Sequence, residues 1–134
     1  MKVERIAVIG SGIMGRGIAH VGALAGYQMI IQDISNEALD KAMLTISSDL
    51  AKGVKLGKID QEQANAAIKN ISVFTAMEDA VKEADLVIEA VPEDMQIKLK
   101  VFAALDEFAP DNAILATNTS TMSPTEIGAI TKRP

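Results

Sequence analysis

Gly10, Gly12 and Gly15 stand in the run Gly-Ser-Gly-Ile-Met-Gly, and a carboxylate, Asp33, follows the first glycine by about 20 residues. That spacing suits a ligand carrying a pyrophosphate and a ribose. Gly10 lets the chain turn sharply out of a strand, Gly12 presents bare backbone to phosphate oxygens, and Gly15 lets the following helix lie close to a sheet. The phosphates would rest on the first N–H groups of that helix, where unpaired donors and the positive end of the macrodipole meet an anion. Asp33 can accept both hydroxyls of an adenosine ribose. Ile34 and Ser35 follow it in place of an arginine that would take a 2′-phosphate, so NAD is expected rather than NADP. Each feature also has a plainer use: glycine turns serve tight packing, and Asp33 could simply cap the next helix.

These residues need a strand, a turn and a helix to hold them. Arg5-Ile6-Ala7-Val8-Ile9 reads as a strand, and the helix after Gly12 carries Met14, Gly17, Ile18, Val21, Leu24 and Ala25 as an apolar stripe before Gly26 ends it. Gln28 to Gln32 forms a second strand. Ser35 is placed to N-cap a long helix with the stripe Leu39, Ala42, Met43, Ile46, Leu50 and Val54. Gly53 and Gly57 mark a break, Asp60 with Gln63 makes an acidic capping box, and Ala64, Ala67, Ile68 and Ile71 continue an apolar face, together an inserted helical hairpin.

Ile71 to Thr75 is a third strand, Met77 to Lys82 a short helix, and Leu86 to Val91 a fourth strand stopped by Pro92. Glu93 to Phe108 is a helix with Met95, Leu99, Phe102, Leu105 and Phe108 on its apolar side. After the turn Pro110-Asp111-Asn112, Ala113 to Thr117 is a fifth strand, and Ser123-Pro124-Thr125-Glu126 has the form of a further helix start. Strands alternating with helices imply an α/β fold, a Rossmann-type doubly wound parallel sheet, here lacking the last of the roughly six strands of a full dinucleotide fold. Residues 1–134 read as one domain.

Ligands of such a sheet bind beyond the carboxyl ends of its strands, which selects Gly10 to Gly15, Asp33, Glu93 and Asn118 to Ser120. Ser120 lies in a polar run after a buried strand, where its hydroxyl could meet a substrate oxygen or merely satisfy its own loop. Glu89 falls inside an apolar strand, and an unpaired carboxylate there would be costly, so it needs a partner. A structural pairing is the preferred reading over catalysis. His20, the sole histidine, sits on the flank of the first helix away from the stripe, which gives it a surface or structural role.

A net charge of −5 opposes non-specific nucleic-acid binding. Residues 6–31 carry little charge, but Arg16 in mid-span costs roughly 2.5–3.5 kcal/mol on insertion and no basic segment precedes it, so neither a membrane helix nor a signal peptide is expected. The absence of cysteine excludes a disulfide framework, a thiolate metal site and a cysteine nucleophile, and is compatible with the cytoplasm. An incomplete sheet would leave an edge or apolar face exposed, so self-association into a homo-oligomer is an open expectation.

The glycine run, Asp33, Ile88-Glu89-Ala90-Val91-Pro92-Glu93 and Asn118-Thr119-Ser120-Thr121 together resemble the NAD-binding domain of the L-3-hydroxyacyl-CoA dehydrogenases, the 3-hydroxybutyryl-CoA dehydrogenases among them, along essentially the whole chain. The resemblance implies that Gly10, Ser11, Gly12, Ile13, Met14, Gly15, Asp33 and Ala90 hold NAD, that Glu93 and Lys98 lie near its nicotinamide half, and that Ser120 and Asn118 line the site where an acyl-CoA substrate meets it. Glu93 and Lys98 also fit as first-turn and surface charges of their helix. Lys52, Lys55 and Lys58 fall where this family meets coenzyme A, though a solvated polar face is the preferred reading.

The family takes its catalytic base from a His-Phe-Phe-Asn-Pro segment and a later glutamate, and carries a helical C-terminal domain; none of these is present in the sequence. The chain is therefore expected to bind NAD and to turn over poorly or not at all by itself. Two alternatives stand beside this reading: another β-hydroxyacid dehydrogenase, and a non-catalytic NAD-binding module.

Overall fold

A computed structural model describes residues 3–91 and 94–117. Its strands are β1 (Arg5–Ile9), β2 (Gln28–Gln32), β3 (Ile71–Phe74), β4 (Leu86–Glu89) and β5 (Ile114–Thr117). All pair in parallel in the order β3-β2-β1-β4-β5. This is the doubly wound order, with the reversal of winding at β1 and β4. Asp85, at the entry to β4, accepts the backbone N–H groups of Arg5 and Glu4 at 3.0 and 2.9 Å and so fixes where β4 starts beside β1.

Helices cover both faces. On one lie α1 (Ile13–Leu24), α2 (Asn36–Lys55) and α3 (Gln61–Lys69); on the other lie α4 (Met77–Val81) and α5 (Met95–Phe108). Because successive side chains of a strand point to opposite faces, β1 serves both cores: Ile6 and Val8 pack with Met29, Ile31, Leu39 and Ile46, whereas Ala7 and Ile9 pack with Val81, Val87, Phe102 and Leu105. Among the described residues no helix is long and apolar enough to cross a membrane.

The inserted hairpin is α2 followed by α3. Leu39, Ala42, Ile46 and Leu50 are buried as the periodicity requires, Ser35 caps α2 through the N–H of Ala38 at 3.1 Å, and Asp60 with Gln63 closes the expected capping box on α3. The break between them comes at Gly57, with φ of 75°, while Gly53 remains inside α2.

Of the stripe expected on α1, Ile18 packs against the core, but the face that is fully buried is another one. Gly15, Ala19 and Ala23 are buried, while Val21 is 68% and Met14 54% exposed. The cause is distance rather than hydrophobicity: α1 lies so close to the sheet that only small residues fit beneath it, and the sulfur of Met29 fills the space a Cβ at Gly22 would need. Ile13, Met14, Val21 and Leu24 are turned outward. On α5 the pattern holds at Phe102 and Leu105, but a fully buried Lys98 sits among them. α5 starts at Met95, with Asp94 as its N-cap, the carboxylate accepting the N–H of Ile97 at 3.1 Å.

Candidate cofactor site

At the carboxyl ends of β1 and β2 the structure forms a cleft of about 550 Å³, within the range of small-molecule sites. Its floor is the glycine turn. Gly10 leaves β1 with φ of 104°, a conformation that favours glycine, and its N–H donates to the carbonyl of Gln32 at 2.7 Å. A Cβ at Gly15 would overlap the Gly10 carbonyl oxygen, so close packing of helix on turn demands glycine there. At Gly12, by contrast, a Cβ would meet nothing within 4 Å: the bare side of this residue faces open space, as a backbone that receives a ligand should.

Gly12 is also the N-cap of α1, and no side chain caps that end. The first N–H groups of a helix have no partner within it, so those of α1 are left for an anion at the cleft. A pyrophosphate fits these donors. Ile13 and Met14, 77% and 54% exposed, form an apolar rim beside them.

Asp33 lines the cleft beside the glycine turn with its carboxylate already oriented. One oxygen accepts the N–H and hydroxyl of Ser11 at 3.2 and 2.8 Å, and the other accepts the N–H of Ser35 at 3.1 Å. An ionised carboxylate offers about four acceptor positions, so it can still receive a ribose hydroxyl, and the serine hydroxyl can rotate away for another. Ser11 itself is 5% exposed. Its role is to hold Asp33 and the turn together.

Gly10, Ser11, Gly12, Ile13, Met14, Asp33 and Ala90 all line this cleft, and Gly15 lies beneath its floor. Ala38, Arg16 and Lys41 line it too and were not anticipated. Arg16 follows the last glycine directly, a signal available in the sequence, whereas Ala38 and Lys41 arrive through the tilt of α2, which the sequence does not display. Glu93, Asn118 and Ser120 fall outside the described residues.

Lys98 is not a surface charge, and it is not among the described residues that line the cleft. Both it and Glu89 have no exposed side-chain surface, and its Nζ donates to the two carboxylate oxygens at 2.9 and 3.0 Å. Here is the partner that Glu89 required. The same carboxylate accepts the N–H of Val91 at 2.7 Å. Apolar periodicity could not reveal this pair, because the lysine answers a carboxylate on another element rather than its own helix pattern.

His20 is half-buried between α1 and α2, in an adjoining groove that shares Arg16 with the cleft and is completed by Thr45 and Asp49. Lys52, Lys55 and Lys58 are exposed at the end of α2 and in the turn after it, where the first two suit the helix C-terminus. The described residues contain no cluster able to hold a metal ion.

A family model described as "3-hydroxyacyl-CoA dehydrogenase, NAD binding domain" matches residues 5–134. The chain belongs to this family. It is 38% identical over 134 residues to a probable 3-hydroxybutyryl-CoA dehydrogenase of Bacillus subtilis, covering all of this chain and 46% of that protein. It is 42% identical to a 3-hydroxyadipyl-CoA dehydrogenase of Escherichia coli K12, covering 100% of this chain and 28% of that one. Among solved structures, a 3-hydroxybutyryl-CoA dehydrogenase from Escherichia coli K12 superposes with a TM-score of 0.96 at 42% identity, over 100% of this chain and 28% of that chain. An (S)-3-hydroxybutyryl-CoA dehydrogenase from Ralstonia eutropha superposes at 0.94 with 33% identity, over 98% and 46% respectively. The chain thus spans less than half the length of these relatives. The match agrees with the resemblance to the 3-hydroxyacyl-CoA dehydrogenase family read along essentially the whole chain, with NAD as the cofactor of its binding domain.

Proposed function

We propose that this chain is the NAD-holding part of a dehydrogenase that oxidises a 3-hydroxyacyl-CoA to the 3-ketoacyl-CoA, within fatty-acid metabolism. The observation that carries the reading is the uncapped helix start at Gly12 facing a carboxylate, Asp33, fixed in advance by Ser11 and Ser35. Held by the α1 N-terminus and Asp33, NAD would supply the hydride acceptor for C3 of the substrate, and the hydroxyl proton would go to a base, leaving the ketone.

The residues of this chain bind and orient. The α1 N-terminus takes the pyrophosphate and Asp33 the adenosine ribose, while its negative charge disfavours the 2′-phosphate of NADP. Glu93 would border the nicotinamide half, and Asn118 and Ser120 the acyl-CoA substrate, with the lysines of the hairpin available to phosphates of coenzyme A. We place this chemistry in the cytoplasm, a reading with which the cysteine-free composition is compatible. His20 lies in a groove between α1 and α2 that adjoins the cleft at Ile13 and Arg16 but does not itself line the cleft, so it does not serve as the base there. Accordingly the 134-residue chain alone should oxidise 3-hydroxybutyryl-CoA far below the roughly 1–10³ s⁻¹ usual for enzymes. Turnover at an ordinary rate would contradict that assignment.

Calorimetric titration tests the cofactor site. The purified chain should bind NAD more tightly than NADP, and Asp33→Ala should weaken NAD by about tenfold or more, the equivalent of about 1.4 kcal/mol. An unchanged affinity would remove Asp33 from the site.

A further inference from the structure

We propose that Arg16 and Lys41 form a subsite for a phosphomonoester on the adenosine ribose, so that the cleft admits NADP as a second dinucleotide beside NAD. This rests on the reading of the cleft as a dinucleotide site. No cation directly follows Asp33 in the chain, where Ile34 and Ser35 stand. The fold supplies two from elsewhere. Arg16 lies on α1, one turn beyond Gly12, whose carbonyl accepts its N–H at 2.9 Å. Lys41 lies on α2, which starts at Asn36, just after Asp33. Both line the cleft together with Asp33. On α2, Ala38, Lys41 and Ala42 fall on one helix face, and the two small residues leave room beside the lysine.

Neither cation has an anion within the described residues. Asp33 gives its oxygens to Ser11 and Ser35, and no carboxylate forms an ion pair with Arg16 or Lys41. Asp49 shares the adjoining groove with Arg16 and is not paired with it either. Two like charges lining one concavity repel each other, and an anion between them turns that cost into attraction. The pyrophosphate of either dinucleotide already has the uncapped start of α1. A 2′-phosphate is the anion that remains, and it is attached to the ribose that Asp33 receives. A phosphomonoester carries about −1.5 to −2 charges at neutral pH and three acceptor oxygens, which suits a guanidinium and an ammonium acting together. The Asp33 carboxylate still repels this group. NAD therefore remains the preferred ligand, and the two cations narrow the preference.

Calorimetric titration with NAD and with NADP isolates the subsite, because the two ligands differ only in the 2′-phosphate. The purified chain should hold NADP within about tenfold of NAD, and Lys41→Ala and Arg16→Ala should each widen the ratio of the two affinities by about tenfold, the effect of one charge-assisted hydrogen bond. Lys41→Arg, which keeps the charge, should keep the ratio of the parent. Both alanines fall at helical positions, where alanine is the most favourable residue, and circular dichroism checks that each variant is folded. Several results would overturn the proposal. A parent chain that binds NAD and not NADP would remove the subsite and leave the cofactor site standing, whereas one that binds neither would overturn the reading of the cleft as well. An unchanged ratio in the two alanine variants would also contradict it, and losses for NAD as large as those for NADP would give the cations to the pyrophosphate. Coenzyme A carries the same group on the 3′-oxygen of its ribose. A loss in Lys41→Ala seen for coenzyme A against dephospho-coenzyme A, with the NAD to NADP ratio unmoved, would give the cations to the substrate and overturn the assignment to NADP.

Discussion

Asp33 and Glu89 are carboxylates at the carboxyl ends of strands on either side of β1, and each accepts the N–H of the residue two places later, Ser35 in one case and Val91 in the other. The same local device shapes both turns. What differs is the far side of the carboxylate. Asp33 meets only a serine and lines the open cleft, so it can admit ligand donors. Glu89 is sealed by a buried lysine and has no exposed surface. One half of the site presents its carboxylate; the other keeps its carboxylate sealed.

The contrast predicts unequal consequences of mutation. The largest should follow Lys98→Met alone, which leaves the Glu89 carboxylate without its cation in the interior: a loss of about 3–5 kcal/mol in urea unfolding. A loss below about 1 kcal/mol would mean that water or another group reaches Glu89, and the sealed half would not be sealed. Next comes Gly15→Ala. Its methyl group would press on the Gly10 carbonyl, backbone that cannot turn aside, so a destabilisation of about 1–3 kcal/mol should accompany weakened NAD binding.

Ser11→Ala sharpens the open half. It deletes one hydrogen bond to a carboxylate that keeps two backbone donors, for a stability change of about 1 kcal/mol and a smaller loss of NAD affinity than Asp33→Ala. Parity between the two variants would mean that Ser11, not Asp33, carries recognition.

The smallest effect belongs to Asp85, outside both halves. Backbone N–H groups of Arg5 and Glu4 hold its pKa below the ordinary value of 3.8. A depressed folded-state pKa adds stability above the unfolded-state value, and that stability is lost as pH falls through the folded-state one. Asp85→Asn should therefore flatten the decline of the urea midpoint below about pH 4 and leave NAD binding unaltered.

The open half was legible in the sequence and the sealed half largely was not. The glycine spacing, Asp33, the Ser35 cap and the Asp60–Gln63 box are local, each read within one turn or one strand end. The parallel, doubly wound character of the sheet followed from the alternation of strands with helices, whereas the order of its strands came from the structure. The face of α1 misled, because Gly15, Ala19 and Ala23 pack closely by being small and carry little hydrophobic signal, while the outward Met14 and Val21 carry a strong one. Glu89 announced a need for a partner, but Lys98, nine residues later on a helix, read as a residue near the nicotinamide half or as a surface charge, not as that partner. Complementarity between elements decides that pair, and no periodicity within either element records it.

A crystal structure of the chain grown with NAD tests the central claim most directly. It should show the pyrophosphate against the first N–H groups of α1 beside Gly12, the adenosine ribose hydroxyls on Asp33, and the nicotinamide half running toward the Ala90–Val91 turn. NAD bound in another groove, or seated with its ribose away from Asp33, would contradict the account.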